Sequence, residues 1–600
     1  MVDARANDAT LIVNEVPVLT LRSSSKSQTP AKRAASAAAT LSSAKEGEKI
    51  TVASDKSSAR LMLGPRTIIT ITPAEAKAQQ SDMEGLAAAW ASKLNDALAL
   101  PTLTLSESKL QLPPDKPTSV GLTGSRSRKA VITISDKSVA KVQRAQGVLK
   151  IVPVGVGKTV VTVTAGPLSK KLEVNVLPYA AKFPMHLSAE VTGIPATADV
   201  VESAIQTAIL ARAAVPEGAS VKLGSDAAPK LNSGATYTAD LPIKVEAPNH
   251  FPASGLVRVT VKNIPVRRDA EKELWYSNDP ENILAAGQIY WGELTPNAPV
   301  RLLFHHFNKA SRPVVIQYVL ANPTEQEVSV AMIMGDSDPS ENPTLAGYRA
   351  GDQFFQAWLQ RSGEVIRIPA KSVVPVVLRR IAPLETSSGL AHLTLFGGQG
   401  ARVQLVGDAV LPEILDPTWR ASGYPAWPWR KLRPTAMANY RGGLNGSPRH
   451  VYPSPLRTER FEFQVGGNFA FIRVGQLAIP DQEQDKRLLG NFGVQYDIRG
   501  TMSNPTDRAT DVEVVFEASA GYSGALFVVN GKYVQANLLQ AKQTVTLVKT
   551  TLAPGETQPV AVQTIPLSGA HYPATITVRP TGIFTSHQSF GDVVASVLSK

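Results

Sequence analysis

The adjacent histidines His305 and His306 are the residues of this 600-residue sequence whose type and spacing most suggest chemistry. Imidazole side chains bind metals and transfer protons near neutral pH. The surrounding string, RLLFHHFNKASRPVVIQYVLANPT, predicts a strand, a turn and a second strand. Because neighbouring side chains of a strand point to opposite faces, the pair is not expected to bind one metal. We therefore predict packed strand residues, with recruitment of one histidine into a fold-assembled site as the alternative.

Three carboxylates, Asp336, Asp338 and Glu341, lie in the loop-like string GDSDPSENPT. Paired carboxylates hydrolyse glycosidic bonds, and loop carboxylates bind calcium, but this spacing does not match an EF-hand. The chain has no cysteine, which excludes disulfides, thiolate zinc sites and cysteine nucleophiles. It also lacks the nucleophile-elbow, zinc-protease, dinucleotide-binding and kinase motifs. The sequence predicts no catalytic residue, no metal and no cofactor, with an unrecognised hydrolase as the alternative.

The string GVGKT at residues 155–159 resembles the end of a phosphate-binding loop motif. That motif requires a glycine at the position that Val152 occupies, and a helix must follow to direct backbone N–H groups at phosphate. The following residues, VVTVTAG, predict a strand. We therefore predict a turn between strands and no nucleotide site.

The segment 419–460 combines aromatic and cationic residues with many Pro and Gly. Interleaved rings and cations stack on sugars and pair with anionic groups. The candidate ligand-binding residues are Trp427, Trp429, Arg430, Lys431, Arg433 and Tyr440. The alternative is an ordered linker whose rings staple the flanking domains together.

The net charge of +12 favours anionic partners, with a generic basic surface as the alternative. No apolar run approaches the roughly 18 residues of a transmembrane helix. The first residues show no signal-peptide pattern, and we expect that a leader was removed and a start Met added. Absence of cysteine fits an exported protein. We expect an extracytoplasmic location, on the cell surface, secreted or periplasmic.

The elements that would position these residues are mostly strands. Residues 11–22 predict a hairpin around Asn14-Glu15, Thr29 and Pro30 predict a helix start, and Pro73–Leu98 has helical spacing. The strings VNEVPVLTLR, PAKRA and TPAEA…LAAAWASKL resemble a periplasmic N-terminal module of cyanobacterial and related envelope proteins.

Residues 102–177 show successive alternating strands separated by turn residues, which predicts a small β-sandwich. Ser135–Val142, Gly147 and Val154–Ala165 carry a resemblance to group 2 bacterial Ig-like domains and to the N-terminal domain of pilus-assembly secretins. The resemblance implies a strand-turn-strand at the first string and a turn that enters a strand at the last.

The second half contains an approximate internal repeat. We align Ile316–Ile333 with Ile498–Phe516 through their shared Asn-Pro-Thr, and Val376–Phe396 with Thr546–Val578 through Ala-Pro-x-Glu-Thr. Two related β-sandwich modules follow from this repeat.

The strings LWYSNDPENI, RLLFHHFN, NPTEQEVSV, GYSGALFVVNG and TIPLSGAHYPATITV resemble an uncharacterised bacterial envelope domain. Such domains are sometimes found beside copper-amine-oxidase-type N-terminal repeats, and the resemblance covers most of residues 274–580. It implies an extracytoplasmic β-rich protein and supplies no catalytic residue.

The predicted fold class is mainly β and multidomain. The expected domains are an α+β domain (1–100), an Ig-like β-sandwich (101–177), an α+β module (178–268), a β-sandwich (269–418), a connecting segment (419–460) and a second β-sandwich (461–600). The predicted function is an exported, non-enzymatic structural or adhesive component of a bacterial cell surface, assembling into a filament or layer. The expected partners are other envelope proteins, further copies of the chain, or an anionic glycan or wall polymer, and not nucleic acid. The alternative is a carbohydrate-binding or polysaccharide-processing envelope protein.

Overall fold

The structure is a computed structural model, and it confirms a mainly β, multidomain fold. It describes residues 2–582 and 596–597, apart from positions 3, 26–27, 46, 146, 213–215, 217–218, 225–226, 267–268, 398–399, 415–433, 447–449, 454 and 483–485. The chain forms two compact units, Met1–Ala180 with Pro248–Pro252, and Ala181–Ala247 with Ala253–Lys600.

The first 100 residues form two three-stranded sheets and three helices. The elements are β1 (Ala4–Asn7), β2 (Thr10–Val13), β3 (Val16–Thr20), α1 (Pro30–Ser42), β4 (Ile50–Ser54), β5 (Ala59–Leu63), β6 (Arg66–Ile71), α2 (Pro73–Ala78) and α3 (Met83–Ala99). The hairpin turn at Asn14 and Glu15 is confirmed, with both residues at positive φ. Thr29 caps α1 as predicted. The single helix predicted over residues 73–98 is wrong, because the first helix stops at Ala78 and Asp82 caps a new one.

Residues 104–176 form a sandwich of two four-stranded sheets. The strands are β7 (Thr104–Leu105), β8 (Lys109–Leu112), β9 (Thr118–Thr123), β10 (Val131–Ile134), β11 (Ala140–Ala145), β12 (Val148–Pro153), β13 (Gly157–Ala165) and β14 (Leu168–Val176). One sheet has the order β10-β13-β14-β8 and the other β11-β12-β9-β7. Alternate side chains such as Val161, Val163 and Leu172 are fully buried between them, as period-two patterning requires.

The second unit begins with one helix and four strands. In chain order they are β15 (His186–Thr192), α4 (Ala198–Arg212), β16 (Ser220–Leu223), β17 (Thr236–Glu246) and β18 (Ala253–Asn263). Strand β15 pairs with β18 on one side and, on the other, with a strand at Gly363–Ile368. The sheet therefore continues across the boundary expected at residue 268, and module 178–268 shares its backbone hydrogen bonds with the sandwich that follows.

Sandwich 1 comprises residues 273–410. Its elements are β19 (Glu273–Ser277), β20 (Asn282–Ile283), β21 (Gly287–Leu294), β22 (Val300–Asn308), β23 (Val314–Asn322), β24 (Val328–Asp336), α5 (Pro343–Leu359), β25 (Gly363–Ile368), β26 (Ser372–Ile381), β27 (Thr386–Phe396) and β28 (Val403–Val410). Two short strands follow, β29 (Thr435–Ala436) and β30 (Val451–Pro453). One sheet has the order β16-β17-β18-β15-β25-β24-β27-β22-β19-β30, with β20 on β22, and the other has β21-β28-β23-β26-β29.

Sandwich 2 comprises residues 456–580. Its strands are β31 (Leu456–Gln464), β32 (Ala470–Val474), β33 (Ile479–Pro480), β34 (Arg487–Leu488), β35 (Gln495–Ser503), β36 (Thr510–Glu517), β37 (Ser523–Val529), β38 (Lys532–Leu539), β39 (Thr544–Leu552), β40 (Thr557–Thr564) and β41 (Ala574–Pro580), with β42 at Ser596–Val597. The sheets have the orders β31-β35-β40-β37-β38-β42 and β32-β41-β36-β39.

The two sandwiches have the same strand pairing. Strands β19 and β21–β28 of sandwich 1 correspond in order to β31, β32 and β35–β41 of sandwich 2: β19 is parallel to β22 as β31 is to β35, and β23 lies between β26 and β28 as β36 lies between β39 and β41. The structure therefore supports the repeat but corrects one alignment. The counterpart of the Asn504 turn is the turn at Asn308, one strand earlier than the Asn-Pro-Thr at Asn322.

Three buried asparagines with similar hydrogen bonds explain why the sequence pattern predicted the wrong alignment. The side-chain amide of Asn308 donates to the carbonyls of Arg312 and Ile381, both at 3.0 Å. Asn504 makes the equivalent bonds to Arg508 and Leu552 at 2.7 and 2.9 Å. Asn322 repeats the clamp at the opposite end of β23, with bonds to Gln326 and Ile368. The Asn-Pro-Thr string thus marks a local turn that is used at more than one place in the topology.

Helix α5 is the main difference between the sandwiches. It is capped by Asn342, whose side chain accepts from Leu345 N, and it packs on β24 and β27 of sandwich 1 and on β37 of sandwich 2. Its Phe354, Phe355 and Trp358 belong to one hydrophobic cluster with the interior of sandwich 2. The core of sandwich 2 therefore continues through α5 onto the outer face of the large sheet of sandwich 1, whose own interior forms a separate cluster.

Candidate functional site

The two adjacent histidines lie on opposite faces of β22, and both are buried. His306 points into sandwich 1: its Nδ1 donates to the Pro280 carbonyl at 3.0 Å, and its Nε2 accepts from the Ser277 hydroxyl at 3.1 Å. Ser277 in turn accepts from Tyr318 at 2.7 Å. His305 lies on the other face, and its Nδ1 has no hydrogen-bond partner among the described residues.

Burial determines the protonation of this pair. It lowers the pKa of His305 to about 3, with the neighbouring His306 adding to the effect, and the pKa of His306 to about 4. Removing a charge from water disfavours the protonated imidazole, so both rings are neutral at pH 7. No carboxylate contacts either ring among the described residues. This agrees with the prediction of packed strand residues.

A buried cluster of charged residues lies near the start of the same strand, at Arg301. The Arg301 side chain donates from Nη2 to Glu271 Oε1 at 2.7 Å and from Nη1 to the Gly493 carbonyl at 2.9 Å. His392 Nδ1 contacts the same Glu271 oxygen at 2.9 Å. Burial alone would raise the pKa of Glu271, but Arg301 and His392 hold it well below its ordinary value. Sequence reasoning missed this cluster, although an arginine inside the apolar string RLLF is a signal for a buried pair.

The predicted acidic residues Asp336 and Asp338 meet at one arginine. Arg379 on β26 contacts Asp336 Oδ2 at 2.9 Å and Asp338 Oδ1 at 3.4 Å. The Asp336 side chain is fully buried, whereas that of Asp338 is 67% exposed. Glu341 is exposed, and the ion pairs of Arg379 in the described part of the chain are with Asp336 and Asp338. Because Arg379 neutralises the buried carboxylate, the arrangement is a structural ion pair with an exposed neighbour.

Asp336 and Asp338 line a groove of about 620 Å³ between α4, α5 and the sheet. Its walls carry Asp199, Glu202 and Gln206 from α4, and Gln353, Gln356 and Gln360 at α5. Glu364 at its base accepts from the Ser203 hydroxyl at 2.5 Å. Sequence reasoning missed α5 and these residues, although Asn342 followed by Pro343 is a helix-start signal. Chemically, the groove presents carboxylates and amides that can bond to hydroxyl groups.

The string GVGKT lies at a turn and in β13, as predicted. Gly157 begins the strand, and Val154 and Val156 before it are 50% and 57% exposed. Thr159 is buried and bonds to Ser135 and Asp136 of the neighbouring loop. These residues are engaged by the sandwich, and a strand rather than a helix follows them.

Of the predicted ligand-binding residues, Trp427, Trp429, Arg430, Lys431 and Arg433 lie outside the described residues. Tyr440 is described: its hydroxyl donates to Asp408 and accepts from Gln317 Nε2 at 2.9 Å. Burial, together with the Asp408 charge, raises the pKa of Tyr440. Trp291 Nε1 donates to the Leu444 carbonyl at 3.1 Å. The described part of the segment around Tyr440 therefore packs on sandwich 1.

Metal ligands and membrane-spanning helices are both absent from the described part of the chain. No group of three or more His, Asp or Glu side chains there is arranged to hold a metal ion. Within the same residues, every helix is too short or too polar to span a bilayer.

A family model described as a domain of unknown function, DUF8459, matches residues 10–100. No curated protein matches the chain. Three solved structures are similar in part. Domains 5–6 of the S-layer protein SbsC align at 13% identity over 27% of this chain and 99% of that one, with a TM-score of 0.12. The human desmocollin-1 ectodomain aligns at 11% identity over 29% and 42%, with a TM-score of 0.13. Human mucin-like protocadherin EC1-2 aligns at 10% identity over 28% and 99%, with a TM-score of 0.12. Similarities this weak support no conclusion about function.

Proposed function

We propose that the chain is a non-enzymatic structural or adhesive component of a bacterial cell surface, exported from the cytoplasm, whose second unit acts as a rigid scaffold. One observation carries the proposal: the side chains best suited to catalysis or metal binding are buried in the packed interior of the protein. His305 and His306 are buried on the two faces of β22, and the core of sandwich 2 continues through α5 onto the outer face of the large sheet of sandwich 1. This close-packed apolar contact between the two sandwiches resists their separation.

The sequence resemblances support the location. Residues 102–177 resemble bacterial Ig-like and pilus-assembly domains, and residues 274–580 resemble an envelope domain. Assembly into a filament or layer would use unpaired strand edges, which can add a strand from a neighbour. Strand β39 forms one edge of its sheet and is nine residues long.

Sedimentation velocity of the purified chain over a range of concentrations tests the assembly. We expect species larger than the monomer, and the variant Thr546→Pro on the edge strand should remove them. The control Thr550→Ser keeps every backbone donor and should assemble like the wild type. A chain that stays monomeric at every concentration would contradict the assembly, and turnover of a saccharide by the purified chain would contradict a non-enzymatic role.

The groove at α4 and α5 favours a second candidate, a saccharide-binding envelope protein. Its four glutamines and exposed Asp338 can bond to sugar hydroxyls. A glycan array followed by the double variant Gln353→Ala/Gln356→Ala tests it. Saccharide binding by a monomer, lost in the variant, would favour this candidate over the scaffold.

A further inference from the structure

The basic charge of the chain is concentrated in its Ig-like sandwich. Residues 101–177 contain twelve Lys and Arg against four Asp and Glu, a net formal charge of +8 of the whole chain's +12. Only two of the twelve make ion pairs among the described residues: Lys109 with Glu173, and Lys170 with Glu15. The other cations of this domain therefore have no neutralising carboxylate in the described part of the chain.

Four of these cations meet at one end of the sandwich. Arg126, Arg128 and Lys129 lie on the loop between β9 and β10, and all three are exposed. Arg144 on β11 reaches this loop and donates to the carbonyls of Ala130, at 2.8 Å, and Ser127. We call these four residues the basic corner.

The loop of the basic corner is held in place before any partner binds. Arg126 N donates to the Thr102 carbonyl at 3.0 Å, and Lys129 N donates to the Arg126 carbonyl at 3.1 Å. Together with the Arg144 bonds, these contacts fix the backbone from which the cations project. A preorganised set of cations loses less conformational entropy on binding than a mobile one.

The flat face beside the corner continues the charge. Lys141 on β11 and Lys150 on β12 are exposed and lie on one face of the sheet, because Gln143 pairs with Lys150 and side chains two residues apart share a face. Ser119 lies opposite Lys150 on β9. A linear polyanion could follow this face from the corner.

The composition of the domain indicates which polyanion fits. Residues 101–177 contain no Phe, Tyr or Trp, so the surface offers no aromatic platform for nucleic-acid bases. The helical segment within its described residues, the three-residue turn Ser127–Lys129, is too short to enter a major groove. Recognition would depend on charge, and guanidinium groups pair well with sulfate, phosphate and carboxylate.

We propose that the basic corner and the adjoining face of residues 101–177 bind a linear anionic polysaccharide. The site is distinct from the segment around Trp427 and from the groove at α4 and α5. It is also independent of the scaffold role, which concerns residues 181–582, so either proposal can fail without the other.

Fluorescence anisotropy of the full chain with a labelled heparin dodecasaccharide tests the site. Binding should weaken by about tenfold or more between 50 and 200 mM NaCl, because counterions are released from the polyanion. Arg126→Ser/Arg128→Ser/Lys129→Ser should weaken binding by about tenfold at 50 mM NaCl. The control Lys56→Ser/Lys77→Ser/Lys93→Ser removes the same charge from exposed positions of residues 1–100 and should change the Kd less than about twofold.

A second variant keeps the test decisive if the loop variant does not fold. Lys141→Ser/Lys150→Ser alters only exposed strand positions and should weaken binding by about threefold or more. Equal weakening by the control variant would show that only total charge matters and would overturn the site. Salt-insensitive binding, or no binding, would also overturn it. Duplex DNA of equal charge that binds as tightly as heparin would contradict the choice of polysaccharide.

Discussion

Strands β22 and β35 occupy the same topological position in the two sandwiches, and they are buried differently. With Asn308 matched to Asn504, Arg301 corresponds to Asp497, His305 to Thr501 and His306 to Met502. Along β22 every residue except Phe307 is buried, whereas β35 exposes Arg499 and Thr501. The core-facing positions agree, since His306 and Met502 are both fully buried. The outer positions differ because β22 is covered on its second face.

Helix α5 provides part of that cover. In sandwich 1 it joins β24 to β25, whereas in sandwich 2 the counterparts β37 and β38 meet in a tight turn at Asn530–Gly531. The guanidinium of Arg301 lies 5.8 Å from the centre of the Phe354 ring on α5. Whether a polar residue on a strand is buried thus depends on whether another element covers its face of the sheet.

The largest expected effect is the loss of the buried ion pair on β22. Arg301→Met removes the charge that neutralises Glu271, and breaking a buried pair from one side costs about 3–5 kcal/mol. The control Arg499→Met breaks the pair with Asp497 on β35, in which the arginine side chain is 67% exposed, and pairs that are open to solvent contribute at most about 1 kcal/mol. Urea unfolding measures both. Equal losses would contradict the difference between the two strands.

Acidification should destabilise sandwich 1 through its histidines. Folded His305 and His306 titrate near pH 3 and 4, whereas unfolded histidine titrates near 6.5. Between about pH 6.5 and 4.5 the unfolded state binds more protons, so the free energy of unfolding falls by about 1.4 kcal/mol per pH unit for each histidine. As far as these two histidines determine it, the free energy of unfolding is therefore highest above about pH 6.5, and it decreases as the pH falls.

Replacement of one histidine sharpens this prediction. His305→Leu should remove about half of that pH dependence while changing stability at pH 7 by about 1 kcal/mol or less, because an apolar residue replaces an unbonded buried nitrogen. Urea unfolding at pH 7.0 and 5.0 measures it. An unchanged slope would show that His305 is not a buried neutral group.

The asparagine clamps should matter equally in both sandwiches. Asn308→Ala and Asn504→Ala each remove two bonds to carbonyls and one from an amide N–H, and Asn504→Ala also removes one bond from the Thr506 hydroxyl. At about 1 kcal/mol for each bond, either change should lower the free energy of unfolding by about 2–4 kcal/mol. The control Asn232→Ala, at an exposed position, should cost less than about 0.5 kcal/mol. Very unequal losses would contradict the structural equivalence of the turns.

The smallest effect concerns one turn residue. The Ala-Pro-x-Glu turns place Leu384 at φ 68° and Gly555 at φ 76°, and a left-handed conformation costs a non-glycine residue about 1 kcal/mol. Leu384 is 62% exposed, so little burial is lost by replacing it. Leu384→Gly should raise thermal stability slightly, by about 0.5 kcal/mol, and Gly555→Ala should lower it by about 1 kcal/mol. Calorimetry measures both changes. A loss of stability in Leu384→Gly, or a gain in Gly555→Ala, would contradict the shared turn geometry.

The sequence was informative wherever a residue's role depends on its neighbours along the chain. Period-two patterning predicted the strands and the mainly β class, and Thr29 with Pro30 predicted the start of α1. The placement of His305 and His306 on opposite faces also follows from strand geometry alone. These predictions depend on local geometry, which a single strand or helix start contains.

The sequence was uninformative where a role depends on distant contacts. The burial of Arg301 requires Glu271 and Gly493, which lie 30 and 192 residues away. The predicted alignment matched Asn322 with Asn504, although the structural counterpart of Asn504 is Asn308, one strand earlier. The error arose because the Asn322 and Asn504 side chains make the same local hydrogen bonds. The groove was missed because α4 and α5 come from separate parts of the chain.

The central claim is that His305 and His306 are buried and therefore not available for chemistry. The most direct test is the accessibility of these histidines to a chemical reagent. Native protein treated with diethyl pyrocarbonate and mapped by mass spectrometry should carry the modification at the exposed His186 and His571. His305 and His306 should stay unmodified until urea unfolds the chain. Modification of either residue in the folded protein, at a rate near that of His571, would contradict the claim.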